Sequence, residues 1–255
     1  METTDCEKKG AERINPYDNS RHKGAQVEEM FDSIAPAYDF MNTAMTFGLH
    51  RFWRNKALKA AVGITPHANN ILDVATGTGD VAFRIHKMLP EARITGIDLS
   101  QGMLDVARDK LKSLPEGERS LIVFGKGDCL DLPFHDASFD LITVAYGVRN
   151  FENLLQGLRE MRRVLRKGGC LCVIELSCPQ GAITGLGYRL YSRRLIPVVG
   201  KMVSGDSRAY TYLPESIAAA PQRDDMAAMM RQAGFKHVKW KELTFGAVTY
   251  YLAQI

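Results

Sequence analysis

Between Asn70 and Leu176, short apolar β-prone runs alternate with segments of helical periodicity, and this alternation limits what the chain can fold into. Runs at 71–75, 93–97, 120–124, 139–146 and 170–176 read as strands. Between them lie apolar stripes at three- and four-residue spacing: Val81, Ile85, Met88 and Leu89, then Met103, Leu104, Ala107 and Leu111. The clearest carries Phe151, Leu154, Leu155, Leu158, Met161, Val164 and Leu165, and Gly168-Gly169 stops it. Strand and helix in strict alternation make a doubly wound, mostly parallel α/β sheet with right-handed crossovers. After a helix at 224–232, two runs at 236–241 and 245–254 are joined by a short turn with no helix between them. They form a hairpin, which gives a seven-stranded, Rossmann-like sheet whose last strand is antiparallel.

The flanks follow a different pattern. Residues 1–24 are polar without apolar periodicity and are expected to be a mobile arm. Residues 25–66 are helical and rich in aromatics (Phe31, Tyr38, Phe40, Phe47, Phe52, Trp53), and form an N-terminal helical cap or lid. Residues 177–221, after the fifth strand, are too long for a connecting loop and read as an insertion facing substrate. The whole of 25–255 is expected to be a single domain. Five cysteines without C-x-x-C spacing argue against a disulfide framework or a zinc site. No run is long enough to span a membrane and the start lacks a targeting pattern, so a cytoplasmic location is expected.

The first strand leads into ATGTGD, with Gly77 and Gly79 ahead of a helix and Asp98 ending the next strand 21 residues after Gly77. Glycines let backbone approach a nucleotide and the acid takes ribose hydroxyls, which suits a dinucleotide or S-adenosylmethionine. Three features favour the methyl donor. Asp73, inside the first strand's end, is placed to anchor the donor's ammonium through nearby backbone. Asp128, just past the third strand, is placed to read an adenine edge. The terminal hairpin is foreign to an ordinary dinucleotide fold. Helix capping by Asp73 and a plain turn at Asp128 are the structural alternatives.

The segments MFDSIAPAYDFMN (30–42), LDVATGTGD (72–80), YGVRN (146–150), RRVLRKGG (162–169), SRAYTYLPESI (207–217) and AAMMRQAGF (227–235) occur in order. On them the chain resembles class I methyltransferases, and specifically the menaquinone/ubiquinone ring C-methyltransferase family. That resemblance implies S-adenosylmethionine as cofactor, with contacts at Thr78, Asp98, Asp128 and Cys129; at Ala145, where some members carry serine, either a backbone contact suffices or that bond is absent. It also implies a polyprenylated quinol as substrate, either demethylmenaquinol or the methoxybenzoquinol precursor of ubiquinone.

The fourth strand ends in AYGVRN rather than the N/D-P-P-Y/F motif that holds an sp² nitrogen, which favours carbon or oxygen as the acceptor. A ring carbon becomes nucleophilic when a neighbouring hydroxyl ionises. The sulfonium methyl is already activated, so the site must align attack and stabilise the phenolate, with no metal. Arg149 suits the electrostatic role, being a permanent cation with directional donors. Asn150 either holds a ring oxygen or caps the following helix, and Tyr38 either faces the site or packs in the core. Tyr210, Tyr212 and Glu215 are expected on the substrate wall. The run at 188–203 mixes Arg189, Arg193, Arg194 and Lys201 with apolar residues, which suits peripheral contact with a membrane surface or an ordinary amphipathic helix pair. No basic face with stacking aromatics points to nucleic acid. Oligomeric state stays open, a homodimer included. A nicotinamide-dependent oxidoreductase and a non-catalytic subunit of a quinone-making complex are the rivals from other classes.

Overall fold

The computed structural model describes residues 10–181 and 207–255, with the backbone alone for 207–210. Seven strands form one sheet in the order β3-β2-β1-β4-β5-β7-β6. They are β1 (Asn70–Val74), β2 (Arg93–Asp98), β3 (Ile122–Lys126), β4 (Phe139–Ala145), β5 (Leu165–Leu176), β6 (His237–Leu243) and β7 (Val248–Gln254). All pairings from β3 to β5 are parallel. β7 is antiparallel to both β5 and β6, so it alone is reversed, as the hairpin required.

The helices are α1 (Lys23–Ile34), α2 (Tyr38–Thr46), α3 (Leu49–Ile64), α4 (Asp80–His86), α5 (Gln101–Leu111) and α6 (Glu116–Arg119). α7 (Leu154–Val164), α8 (Ser207–Ala219) and α9 (Asp224–Gln232) follow. One sheet face packs against α7 and α9 through Leu158, Met161, Met226 and Met230. The other packs against α3, α4 and α5 through Leu58, Ala61, Ile85 and Leu104. Side-chain caps set two helix starts: Ser100 Oγ accepts from Met103 N at 3.1 Å, and Asn153 Oδ1 from Gln156 N at 2.9 Å. α7 therefore starts after Asn153, and Asn150 is not its cap.

Two expectations need correction. β5 begins at Leu165, before the glycine pair, since α7 ends at Val164. Residues 10–24 are no free arm: Ala11 and Lys23 are buried, and the Lys23 ammonium donates to the Ala11 carbonyl at 2.6 Å and the Arg149 carbonyl at 3.2 Å. Gln26 is buried and satisfies the Tyr17 and Asp18 amides, while Glu12 accepts from Leu154 N. The segment docks by polar side chains that close backbone hydrogen bonds, which apolar periodicity does not register. Among the described residues no helix is long and apolar enough to cross a membrane. The run at 188–203 lies outside the described residues.

Candidate active site

The carboxyl ends of β1, β2 and β4 converge beneath the helical lid, where open α/β sheets hold ligands. β1 passes into a tight turn with positive φ at Ala75, Gly77 and Gly79. A Cβ on Gly79 would come within 2.8 Å of the Phe124 ring and 2.9 Å of Phe83, so packing as well as φ requires glycine there. A Cβ on Gly77 would meet nothing within 4 Å, and Gly77 lines both cavities of the site. It leaves backbone bare to a ligand.

Asp98 fixes the turn. Its carboxylate accepts from Gly77 N at 2.8 Å and Ser100 N at 2.9 Å, and burial pushes its pKa up. Asp73 is 1% exposed and accepts hydroxyls from Thr143 and Thr76, both at 2.6 Å. Burial raises it to about 6. Asp73 thus ties the turn to β4.

The lid is pinned to this turn by charge. Asp39 of α2 accepts from Thr78 Oγ1 at 2.7 Å. Arg54 of α3 and Lys110 of α5 both pair with Asp80 at 2.8 Å, and Lys110 also pairs with Asp39. Asp32 of α1 accepts from Ser100 Oγ and Gly102 N. Trp53 Nε1 donates to Thr244 Oγ1 at 2.7 Å, joining α3 to the turn between β6 and β7.

Two cavities lie under this roof. The smaller, about 100 Å³, is lined by Asp98, Leu99, Asp128, Cys129, Leu130 and Asn150. Asp128 turns its own loop by accepting from Leu130 N at 2.9 Å, and burial pushes the Cys129 thiol well up. The larger, about 500 Å³, runs from Asp73 and Arg149 past Met30, Met41, His50 and Trp53 to Phe47 and Phe245. These last two are 81% and 82% exposed and stand at positive φ, marking the mouth. Phe31, Tyr38, Ala75, Gly77, Ala145 and Tyr146 line both cavities, so the two meet there.

Arg149 opens onto the larger cavity at 6% exposure. Nη1 pairs with Glu175 Oε1 at 2.9 Å and also donates to the Tyr146 carbonyl, while Arg149 N donates to Glu175 Oε2 at 3.3 Å. Burial opposes its charge, but Glu175 and the tyrosines 38 and 212 hold its pKa above the ordinary value. Arg149 Nε and the Tyr146 hydroxyl are buried without partners. Tyr146 also stands at φ +59°, in the left-handed region that costs a non-glycine residue about 1–3 kcal/mol. Strain and unsatisfied donors coincide where the cavities join.

Of the residues expected at the site, Tyr38, Asp73, Gly77, Thr78, Asp98, Asp128, Cys129, Ala145, Arg149, Asn150 and Tyr212 line one or both cavities. The Tyr212 hydroxyl donates to Asn150 Oδ1 at 3.0 Å, which makes it a support for the loop as well as a wall. Gly79 packs behind the turn. Glu215 is exposed and lines neither cavity, because on α8 it stands three residues past the inward-facing Tyr212, with Ser216 taking the buried position. The Tyr210 side chain lies outside the described residues. Sequence reasoning missed His50, Tyr146 and Glu175. The one available signal was Glu175, a lone acid inside the apolar run CVIEL.

Sheet order, glycine turn and strand-end acid define the class I methyltransferase fold. A methyltransferase structure from Thermotoga maritima, described as a possible histamine N-methyltransferase, superposes with a TM-score of 0.59 at 20% identity, over 89% of this chain and 98% of that one. A model of the ubiE/COQ5 methyltransferase family matches residues 19–254, and the chain belongs to that family. The demethylmenaquinone methyltransferase of Porphyromonas gingivalis is 46% identical over 94% of this chain and 97% of its own length. A Geotalea daltonii relative, the ubiquinone/menaquinone biosynthesis C-methyltransferase, is 42% identical over 91% and 97%.

Proposed function

We propose that the protein transfers a methyl group from S-adenosylmethionine to a ring carbon of demethylmenaquinol in making menaquinone. The carrying observation is a cleft lined by the strand-end acid Asp98 that opens, at Tyr38, Gly77, Ala145 and Tyr146, into an apolar cavity lined by Arg149. The kinship with demethylmenaquinone methyltransferases supports this substrate over the ubiquinone precursor.

The donor set fits S-adenosylmethionine: a buried strand-end carboxylate for hydroxyls, a turn left open by the missing side chain of Gly77, and Asp128 past β3 for an adenine edge. That molecule supplies a methyl group already activated on sulfonium. The chain's own residues do the rest. Asp98 and Gly77 hold the nucleoside, and the ion pairs of Arg54, Lys110, Asp39 and Asp80 pin the lid over it. Arg149, kept in place by Glu175, stabilises charge on the ring oxygen as the hydroxyl ionises. Asn150, held by Tyr212, fixes the loop that carries Arg149.

The cavity suits a ring and the start of an isoprenoid tail, and the tail leaves past Phe47, Leu49 and Phe245. In this reading the protein works in the cytoplasm and touches the bilayer holding its substrate, aided by the basic residues of 188–203. The test is incubation with labelled methyl donor and demethylmenaquinol, with the product identified by mass spectrometry. Label in menaquinol supports the reading, and label only in the benzoquinol precursor replaces it. Membrane contact is tested with anionic vesicles: salt-sensitive binding supports it, and no binding at low salt rejects it.

A further inference from the structure

The larger cavity is mostly apolar, and three of the residues that line it, Arg149, Tyr146 and His50, each carry a polar atom whose hydrogen-bonding capacity the protein leaves unused. Two are donors. Arg149 Nε carries a hydrogen and is buried without an acceptor. The Tyr146 hydroxyl is buried without a partner, and burial pushes its pKa up, so it remains a donor. The third atom is an acceptor, and its identity follows from a short chain of bonds. Thr46 Oγ1 gives its single hydrogen to the Asn42 carbonyl at 2.6 Å. Its contact with His50 Nδ1, at 2.7 Å, must then be donated by Nδ1–H. In the neutral ring this tautomer leaves Nε2 as a lone pair, and among the described residues Nε2 has no hydrogen-bond partner. Burial, with Arg54 and Arg51 nearby, lowers His50 to about 4, so the ring is neutral at pH 7.

Two donors without an acceptor and one acceptor without a donor make a recognition pattern. A singly ionised quinol ring has one oxyanion, which only accepts, and one hydroxyl, which donates. A quinone has two carbonyl oxygens that only accept, and one set against Nε2 would bring two lone pairs together. Given that the cavity takes a quinol ring, as argued under the proposed function, we infer that His50 selects the reduced ring. Arg149 and Tyr146 donate to the oxyanion, and His50 Nε2 accepts a hydrogen bond from the hydroxyl that stays protonated. A site built to bond a hydroxyl rejects the analogue lacking it because its polar atom is then left unpaired. The enzyme would therefore ignore the oxidised ring, which has no nucleophilic carbon.

The test is anaerobic calorimetry of a short-tailed 1,4-naphthohydroquinone and the matching naphthoquinone, with S-adenosylhomocysteine present. The wild type should bind the hydroquinone at least ~10-fold more tightly. His50→Phe should lose most of that preference by weakening the hydroquinone alone. His50→Gln, whose amide oxygen still accepts, should keep part of it. Tyr146→Phe should slow turnover by ~10-fold while preserving the preference. Unchanged S-adenosylhomocysteine affinity in each variant will show that the nucleotide end is intact. Equal binding of the two rings by the wild type, or full preference in His50→Phe, overturns the inference even if methyl transfer to demethylmenaquinol is observed. Failure of both rings to bind, together with no methyl transfer to the quinol, overturns the proposed function and this inference with it.

Discussion

The two cavities of the site are built by opposite means. The nucleotide end is made of backbone: turn amides at positive φ, and a strand-end carboxylate already bonded to Gly77 N and Ser100 N. The ring end is made of side chains from distant parts of the chain: Met30, Tyr38 and His50 from the lid, Arg149 after β4, Tyr212 from α8 and Phe245 from the last turn. A backbone site is set by one local sequence and its strand. A side-chain site depends on every element around it, and here on a buried ion pair, Arg149–Glu175. Damage at the first should weaken the grip on the donor; damage at the second should slow chemistry.

Arg149→Leu should give the largest effect. Stranding Glu175 without its partner should cost about 3–5 kcal/mol of stability, and turnover should fall by at least ~100-fold. Adding Glu175→Leu should return much of the stability, measured by urea unfolding, while leaving turnover low. Recovery of turnover in the double variant would mean that Arg149 serves the fold alone. Asp98→Ala comes next: donor affinity should drop by about 2–3 kcal/mol in calorimetry. A folded variant with unchanged affinity would remove Asp98 from the nucleotide end.

The glycine pair sharpens the contrast within one turn. Gly79→Ala should lose about 1–3 kcal/mol of stability, because its Cβ meets the Phe124 and Phe83 rings. Gly77→Ala should lose only about 1 kcal/mol, from its positive φ, while weakening donor binding more than that strain explains. Equal stability losses at both positions would contradict the open face at Gly77. A further effect is one of pH. His50 is lowered to about 4 in the fold, so its contribution is present above pH 6.5 and is lost as pH falls towards 4. His50→Phe should flatten the stability curve in that window by at most about 3 kcal/mol. An unchanged curve would mean that His50 titrates normally.

The same division explains what the sequence made legible. The sheet, its reversed last strand and the nucleotide end were readable because strand periodicity, ATGTGD and Asp98 are local signals. Arg149 stood out as a cation at the end of an apolar strand. His50 did not, because its importance comes from Thr46 fixing its tautomer and from the cavity it faces. Tyr146 looked like the end of a strand, whereas it turns out at φ +59°. The docked segment 10–24 was misread because its bonds run from side chains to distant backbone, with no periodic trace. Glu215 was misplaced for lack of a helix phase, which the packing of Tyr212 and Ser216 sets.

The central claim is that the nucleotide end binds and the ring end reacts, and single-turnover methyl transfer at increasing donor concentration tests it most directly. Asp98→Ala should approach the wild-type rate once the donor is saturating, since its defect is one of affinity. Arg149→Leu should stay at least ~100-fold slow at any donor concentration. An Arg149→Leu rate that donor restores, or an Asp98→Ala rate that saturating donor leaves unchanged, would contradict the account.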